Sequence, residues 1–276
     1  MKIGIRAHDV ISSTPDVLFK KVKEFGFDYI QLVFKKALKD EDNKPLIFNE
    51  YNARIINTYL REYNIDVCML GAYFNPVHSN KELLLNNVNY FIDHLRFASL
   101  LNAKYVGTET GSYNDDKWTY NPKNQTEEGY QDTIKVFKNL VSYAEKYQTT
   151  LLMEPAWGHV IYSPKVLKRA VDEINSNYLK VTIDLFNLLY IGNYQNYKEI
   201  FDEALNIFKD DIKIIHLKDF YIKDDKIVQC GLGKGIIDFK FIIDKVKEYC
   251  PNVTLVFEGV TGEDIIPSLN LIKSFI

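Results

Sequence analysis

Short apolar runs alternate with longer segments of helical periodicity along the whole chain. Most of these runs are nearly continuous in apolar residues, which is typical of parallel strands that are covered on both faces or closed into a barrel. Each gap between two runs is long enough for the crossover that parallel neighbours require. The eight predicted strands cover residues 2–7, 29–34, 66–73, 105–111, 150–155, 179–185, 212–219 and 253–259.

The segments between the runs carry signals for helices. Thr14 and Pro15 suit the start of a helix, because proline fits the first helical turn. Val17, Leu18 and Val22 then follow at helical spacing and predict one buried face. Eight strand–helix units are predicted in this way.

The eight units predict an α/β fold, a single-domain (β/α)8 TIM barrel over residues 1–276. No linker or break in composition divides the chain, and such barrels reach ~250 residues as one unit. An open, doubly wound sheet is the alternative architecture. It is the weaker one, because no Gly-rich GxGxxG turn follows the first run.

Three long connections are expected at the carboxyl ends of the strands, where the substrate loops of such barrels lie. They cover residues 35–49, 112–125 and 220–239. The third contains YIKDDKIVQ, whose two β-rich arms around a polar turn predict a β-hairpin. It also contains GLGKG, residues 231–235, whose backbone N–H groups we consider as donors to a phosphate.

Composition narrows the class of protein. The 276 residues include 34 Lys and Arg against 37 Asp and Glu, a net charge of −3, so we expect no nucleic acid as a partner. The three cysteines form no CxxC pair, which predicts reduced thiols. Because there is no signal-peptide pattern and no apolar run of ~18 residues, we expect a cytoplasmic protein without a membrane span.

Each of the last four predicted strands ends in a side chain that can bind a metal. In a barrel, these side chains reach the same rim next to one another. Unpaired buried carboxylates are costly, and a divalent cation removes that cost. Three carboxylates and one imidazole suit one Mn²⁺, Co²⁺, Mg²⁺ or Zn²⁺ ion, without selecting among these metals. The four predicted metal ligands are Glu154, Asp184, His216 and Glu258.

The sequence resembles the xylose isomerase-like TIM barrels, a superfamily of sugar phosphate isomerases and epimerases. The resemblance rests on LLMEPAWG, VTIDLFNLL, IIHLKDF, GLGKGIIDF and LVFEG, and with the strand pattern it spans essentially the whole chain. It implies that the four ligands hold one divalent metal ion, and that Glu154 and Glu258 also form an acid–base pair. Family members are often dimers or tetramers, so a homo-oligomer is expected.

Other residues near the rim are candidates for contact with the substrate. Lys218 follows His216 with the same inward parity, and we expect it to take part in catalysis by stabilising a developing oxyanion. The candidates for substrate binding are Arg6, His8, Trp157, His159 and Asn187.

Two positions depart from the pattern that the resemblance implies. Asn187 stands where family members commonly have a histidine, which argues against a trinuclear, endonuclease-type site. Lys234 stands in the glycine-rich turn where an acidic residue is usual. Its positive charge would favour an anionic substrate.

The leading hypothesis is a divalent-metal-dependent isomerase or epimerase of a ketose or sugar phosphate. One glutamate would remove a proton, the metal would stabilise the resulting enediolate, and the other glutamate would return the proton. A metal-dependent dehydratase of a polyol or keto acid is the alternative, because loss of a β-hydroxyl can follow the same proton removal. A third hypothesis is a non-catalytic sugar-binding barrel.

Overall fold

The computed structural model describes residues 1–276 and contains a closed barrel of eight parallel strands. The strands of the chain are β1 (Lys2–Arg6), β2 (Tyr29–Leu32), β3 (Asp66–Gly71), β4 (Tyr105–Glu109), β5 (Thr150–Glu154), β6 (Leu179–Asp184), β7 (Ile212–Leu217), β8 (Asp219–Lys223), β9 (Lys226–Cys230) and β10 (Thr254–Phe257). The order around the barrel is β1-β10-β7-β6-β5-β4-β3-β2, and β2 pairs with β1 to close it. The predicted TIM barrel is confirmed, and the open-sheet alternative is wrong.

Helices surround the barrel and connect its strands. They are α1 (Ala7–Val10), α2 (Pro15–Glu24), α3 (Phe34–Ala37), α4 (Glu50–Glu62), α5 (Lys81–Phe97), α6 (Glu127–Tyr147), α7 (Pro164–Ile174), α8 (Tyr197–Phe208), α9 (Phe239–Tyr249) and α10 (Ile265–Lys273). No helix is both long and apolar enough to cross a membrane.

The predicted buried face of α2 is wrong at one position. Leu18 and Val22 are buried as expected, but Val17 is 45% exposed and Phe19 completes the buried face instead. The spacing alone allowed either neighbour of Leu18 to face the barrel. Phe19 is the larger apolar side chain, so its burial removes more apolar surface from water.

Two apolar layers support the barrel. A cluster of 68 buried residues fills the space between strands and helices. Inside the barrel, a separate layer is formed by Met69, Leu152, Ile214 and Val256. Because strand side chains alternate with a period of two, the inward-facing residues two positions further along lie above this layer. Glu154, His216 and Glu258 follow Leu152, Ile214 and Val256 by two positions, so their side chains lie above this layer at the carboxyl end of the barrel.

The strands end earlier than the sequence predicts. Strand β7 ends at Leu217, because β8 and β9 form the expected antiparallel hairpin outside the barrel, with Asp219 paired to Cys230. Strand β10 ends at Phe257, so Glu258 lies just beyond it. The limits of a single domain over residues 1–276 stay a prediction.

Candidate metal centre

The four side chains predicted as metal ligands meet at the carboxyl end of the barrel. The ligand atoms of Glu154, Asp184 and His216 all lie within 4.8 Å of one another. The Nδ1 atom of His216 is 3.3 Å from a Glu154 oxygen and 3.5 Å from an Asp184 oxygen. A Glu258 oxygen is closer still, at 2.9 Å. One imidazole nitrogen therefore faces three carboxylates.

The opposite side of the imidazole ring is held by a glutamine. Nε2 of His216 is 2.7 Å from Oε1 of Gln31, whose amide nitrogen donates to the Tyr73 hydroxyl at 2.8 Å. Because Oε1 of Gln31 can only accept, Nε2 carries a hydrogen, and Nδ1 is the ring nitrogen that faces the carboxylates. Burial disfavours the charged ring, but the negative charges of Glu258 and Glu154 outweigh it and raise the pKa of His216 well above its ordinary value. A hydrogen bond of this kind commonly orients a metal-binding histidine.

Two buried carboxylate oxygens at the centre lack hydrogen bonds. Asp184 Oδ2 and Glu258 Oε2 have no partner of suitable geometry, although the Lys218 ammonium lies 2.8 Å from that Asp184 oxygen. His216 Nδ1 lies 2.9 Å from that Glu258 oxygen, but three carboxylates converge on this one nitrogen, and buried anionic oxygens without hydrogen bonds are unfavourable. One divalent cation would satisfy all of these donors, so the residues present fit the predicted metal ion.

Asn187 connects the carboxylates to one another. Its Nδ2 donates to Glu154 at 2.8 Å and to Glu109 at 3.0 Å, and its Oδ1 accepts from Lys218 at 3.1 Å. The backbone carbonyl of Asn187 accepts from the N–H of Trp157 at 2.7 Å. Asn187 therefore lies within the centre, where its amide orients two glutamates.

The two glutamates of the predicted acid–base pair have opposite pKa shifts. Burial raises the pKa of Glu154 above its ordinary value, despite the nearby His216. Burial also acts on Glu258, but the charges of Lys218, His216 and Arg6 outweigh it and hold its pKa well below the ordinary value. Divergent pKa values in two neighbouring carboxylates are typical of acid–base sites.

A cavity of about 280 Å³ opens above the centre. Glu258 and Glu109 belong to its wall and connect it to the buried ligands. Two of the predicted substrate-binding residues, Arg6 and His8, also belong to the wall. The lining residues are Arg6, His8, Val33, Lys35, Lys36, Gly71, Tyr73, Tyr90, Glu109, Trp118 and Glu258.

Arg6 is bound by carboxylates of the protein. Its guanidinium donates to both oxygens of Asp9, at 2.8 and 2.9 Å, and to Glu258 at 2.6 Å. Asp9 also accepts from the N–H of Gly259 at 2.6 Å, so this network fixes the backbone next to Glu258. The neighbouring His8 is neutral near pH 7, because burial and the charge of Arg6 lower its pKa to about 4.

The other predicted substrate-binding residues lie outside the cavity wall. Trp157 stacks between Tyr120 and Tyr190, with ring centroids 5.2 and 4.2 Å away. His159 is 4% exposed and meets Trp118 edge-on at 5.5 Å. Trp118 therefore occupies the place in the wall that the sequence suggested for Trp157 and His159.

The glycine-rich turn does not offer its N–H groups to a ligand. Asp219, fully buried, accepts from the N–H groups of Gly233 and Gly235 at 2.9 and 2.8 Å and from those of Phe220 and Ile237 at 2.8 and 3.1 Å. The expected phosphate contact is wrong, because the protein's own carboxylate occupies these donors.

Lys234 in the same turn does not face the cavity. Its ammonium pairs with Asp264 at 2.5 Å, and its side chain is 56% exposed. The expectation that Lys234 adds positive charge at the site is therefore wrong.

Several residues of the site escaped the sequence analysis. Gln31 had a usable signal, because it is the one strongly polar residue in the apolar run YIQLVF. Trp118 also had one, because it lies in the connection 112–125 that was expected at the rim. Tyr73 and Tyr90 had none, since aromatic residues are common throughout such a fold. Their place in the wall follows from how the loops fold over the barrel.

The chain belongs to the xylose isomerase-like TIM barrel family, whose model matches residues 19–274. Among curated proteins it is similar to the uncharacterized protein MJ1311 of Methanocaldococcus jannaschii. The two sequences are 21% identical over 281 residues, which covers 100% of this chain and 89% of that protein.

Three solved structures share the fold over nearly their full lengths. A D-tagatose 3-epimerase-like protein has a TM-score of 0.77 at 20% identity, covering 100% of this chain and 97% of its own. The 3-keto-D-glucoside 4-epimerase YcjR from E. coli has a TM-score of 0.76 at 16% identity, with 99% of each chain covered. The IolI protein with a binding zinc atom has a TM-score of 0.75 at 16% identity, covering 100% of this chain and 96% of its own.

Proposed function

We propose that this chain is a divalent-metal-dependent isomerase or epimerase that acts on a sugar. The supporting observation is the Nδ1 atom of His216, which faces three carboxylates below a cavity, where one oxygen each of Asp184 and Glu258 has no hydrogen bond of suitable geometry. The structural neighbours include two proteins named as sugar epimerases or as epimerase-like. Their names suggest a sugar substrate for this chain.

Four residues would hold the metal ion: Glu154, Asp184, His216 and Glu258. When bound, a divalent cation supplies a Lewis acid that acidifies the hydrogen beside a substrate carbonyl. Gln31 keeps the histidine ring oriented for that ion. The imidazole and carboxylate donors suit Mn²⁺, Co²⁺, Mg²⁺ or Zn²⁺.

Glu154 and Glu258 would carry the proton transfers. They approach the centre from β5 and from the end of β10, strands that β6 and β7 separate in the barrel. A substrate between them would lose a proton to one carboxylate and receive a proton from the other, which inverts one carbon. Asn187 orients Glu154 through the hydrogen bond at 2.8 Å.

Lys218 would act through its carboxylate neighbours. Its ammonium lies 2.8 Å from Asp184 and 3.1 Å from Glu258, and its side chain is only 7% exposed. The positive charge favours the ionised form of Glu258, as a proton acceptor requires. This role replaces the direct contact with a substrate oxyanion that the sequence suggested.

Two measurements test the proposal. Elemental mass spectrometry of the purified protein should find about one divalent metal ion per chain, and His216→Ala should lose it. A Glu41→Gln variant, in an exposed loop position, should keep the metal. Absence of metal in the wild type after reconstitution would contradict the proposal.

Deuterium exchange tests the chemistry. The metal-loaded protein, incubated with a panel of ketoses in deuterated water, should introduce one deuterium beside the carbonyl and form the isomer or epimer. A product that has lost water would favour the dehydratase. A loaded protein that binds a sugar without exchange would favour the non-catalytic barrel.

A further inference from the structure

The cavity wall carries two lysines that have no carboxylate partner. Lys35 and Lys36 both line the cavity and are exposed, and neither takes part in an ion pair of the chain. On the inner side, Glu109 and Glu258 bring negative charge. The cavity therefore has an acidic inner side at the reacting centre and a basic outer wall.

We propose that the substrate of the isomerase carries an anionic group, a phosphate or a carboxylate, and that Lys35 and Lys36 bind this group at the end of the substrate far from the reacting carbons. This inference rests on the proposed function, because it names the substrate class of the same site. Either group offers the oxygens that a lysine ammonium binds by charge-assisted hydrogen bonds.

The other cations near the site are engaged by the protein itself. Arg6 is held by Asp9 and Glu258, Lys218 contacts Asp184 and Glu258, and Lys234 pairs with Asp264 outside the cavity. An anionic group that entered the cavity would find its free positive partners in the two wall lysines.

The backbone that presents the two lysines is fixed. Helix α3 buries Phe34 and Ala37 completely, and Phe34 packs edge-on against Phe48 at 5.0 Å. The Ala37 carbonyl accepts from the N–H of Ser13 at 3.1 Å, and the Lys36 carbonyl accepts from the Ser12 hydroxyl. These contacts direct the intervening side chains away from the core.

Aromatic and neutral groups complete the outer wall. The Lys35 ammonium lies 5.2 Å from the ring centroid of Tyr90, a cation–π contact that places the charge without neutralising it. His8 lines the same cavity. A neutral imidazole there offers a hydrogen bond to a hydroxyl and adds no charge that would repel the two lysines.

Calorimetric titration of the metal-loaded protein tests the inference. The probes are D-fructose, D-fructose 6-phosphate and the ketose carboxylate D-fructuronate. We expect at least one anionic probe to bind about 10-fold or more tightly than D-fructose, because hydrogen bonds to charged groups are the strong ones. The phosphate and carboxylate arms identify which group the wall prefers.

Variants assign the preference to the two lysines. Lys35→Met with Lys36→Met should abolish the difference in affinity between the anionic probes and D-fructose. Lys39→Met, in the same connection but outside the cavity wall, should keep the preference. Raising the salt concentration should weaken it in the wild type, as expected for an ionic contact.

The inference is overturned if no anionic probe binds the wild type better than D-fructose, or if the preference survives in the double variant. The same titrations with His216→Ala separate the inference from the proposed function. This variant should lose the metal but keep the preference for anionic probes, because the two lysines are not metal ligands. Metal binding and deuterium exchange without anion preference would refute only the inference. Anion preference without metal or exchange would refute the isomerase and leave the anion site.

Discussion

Asp184 and Asp219 are both fully buried near the carboxyl end of the barrel, yet their surroundings differ. Asp219 accepts four backbone N–H groups, from Phe220, Gly233, Gly235 and Ile237. Asp184 has one backbone partner, the N–H of Asn187 at 3.2 Å, and its other oxygen has no hydrogen bond of suitable geometry.

This difference separates a structural carboxylate from one that is available to a ligand. The four donors of Asp219 compensate its burial and fold residues 231–237 around it, so nothing further can bind there. Asp184 faces the imidazole of His216 and the ammonium of Lys218, which compensate its burial only in part. A buried charge that the protein leaves partly unpaired marks the place where a cation fits.

Replacement of Glu154, which belongs to the same proposed metal centre as Asp184, should have the largest effect on activity. Glu154→Gln keeps the side-chain volume but removes a proton carrier, so turnover should fall by ~10³-fold or more. The free energy of unfolding should change by less than about 1 kcal/mol, because burial already disfavours the charge of Glu154. Steady-state kinetics and urea unfolding check the two effects, and retained turnover would contradict the assignment.

Asp219→Asn tests the aspartate whose oxygens accept four backbone N–H groups. The amide keeps one acceptor oxygen but points an NH2 group at backbone donors, so we expect the free energy of unfolding to fall by ~3–5 kcal/mol. The metal content of the folded protein should stay at the wild-type value. Urea unfolding and elemental analysis measure both. A stability close to that of the wild type would show that the four N–H contacts contribute little.

Asp184→Asn should give the reverse pattern. Removing one anionic ligand should weaken metal binding by ~100-fold. The metal-free protein should lose less stability than Asp219→Asn does, because Lys218 keeps Glu258 as an anionic partner. Titration with a competing chelator measures the affinity. If Asp184→Asn and Asp219→Asn lose equal stability in the metal-free form, the distinction between the two aspartates fails.

His94 adds a third case to the comparison of buried titratable groups. It lies far from the proposed metal ligands, it is fully buried, and its Nε2 atom has no hydrogen-bond partner. Burial lowers its pKa to about 4, although Nδ1 contacts the Tyr90 carbonyl. The unfolded state therefore binds the extra proton between about pH 6.5 and 4, and stability should fall as the pH falls through that range.

The contribution of His94 to that loss is ~2 kcal/mol between pH 7.5 and 5. His94→Phe, which keeps an aromatic ring against Phe48, should show a correspondingly smaller loss. Urea unfolding of both proteins at the two pH values gives the difference. An equal loss in the wild type and the variant would exclude His94 as the source.

The sequence predicted the barrel and the meeting of the four ligand residues, because both follow from features that recur along the chain. Eight apolar runs at unit spacing define the strands, and strand parity brings Glu154 and His216 to one rim. Contacts between distant loops were not predictable in this way. The engagement of Arg6 by Asp9, and the capture of the glycine-rich turn by Asp219, depend on side-chain directions that no periodicity encodes.

Local spacing also misled directly after β5. Trp157 comes directly after the strand that ends in Glu154, yet it packs between two tyrosines rather than in the cavity wall.

The two tryptophans of the chain occupy contrasting positions that make the protein its own optical probe. The indole of Trp118 belongs to the cavity wall, so a molecule that fills the cavity changes the polarity around it and shifts its fluorescence. Trp157 stacks between Tyr120 and Tyr190 outside that wall. In a Trp157→Phe variant, tryptophan emission therefore comes from Trp118 alone, and occupancy of the cavity can be followed in real time without a label.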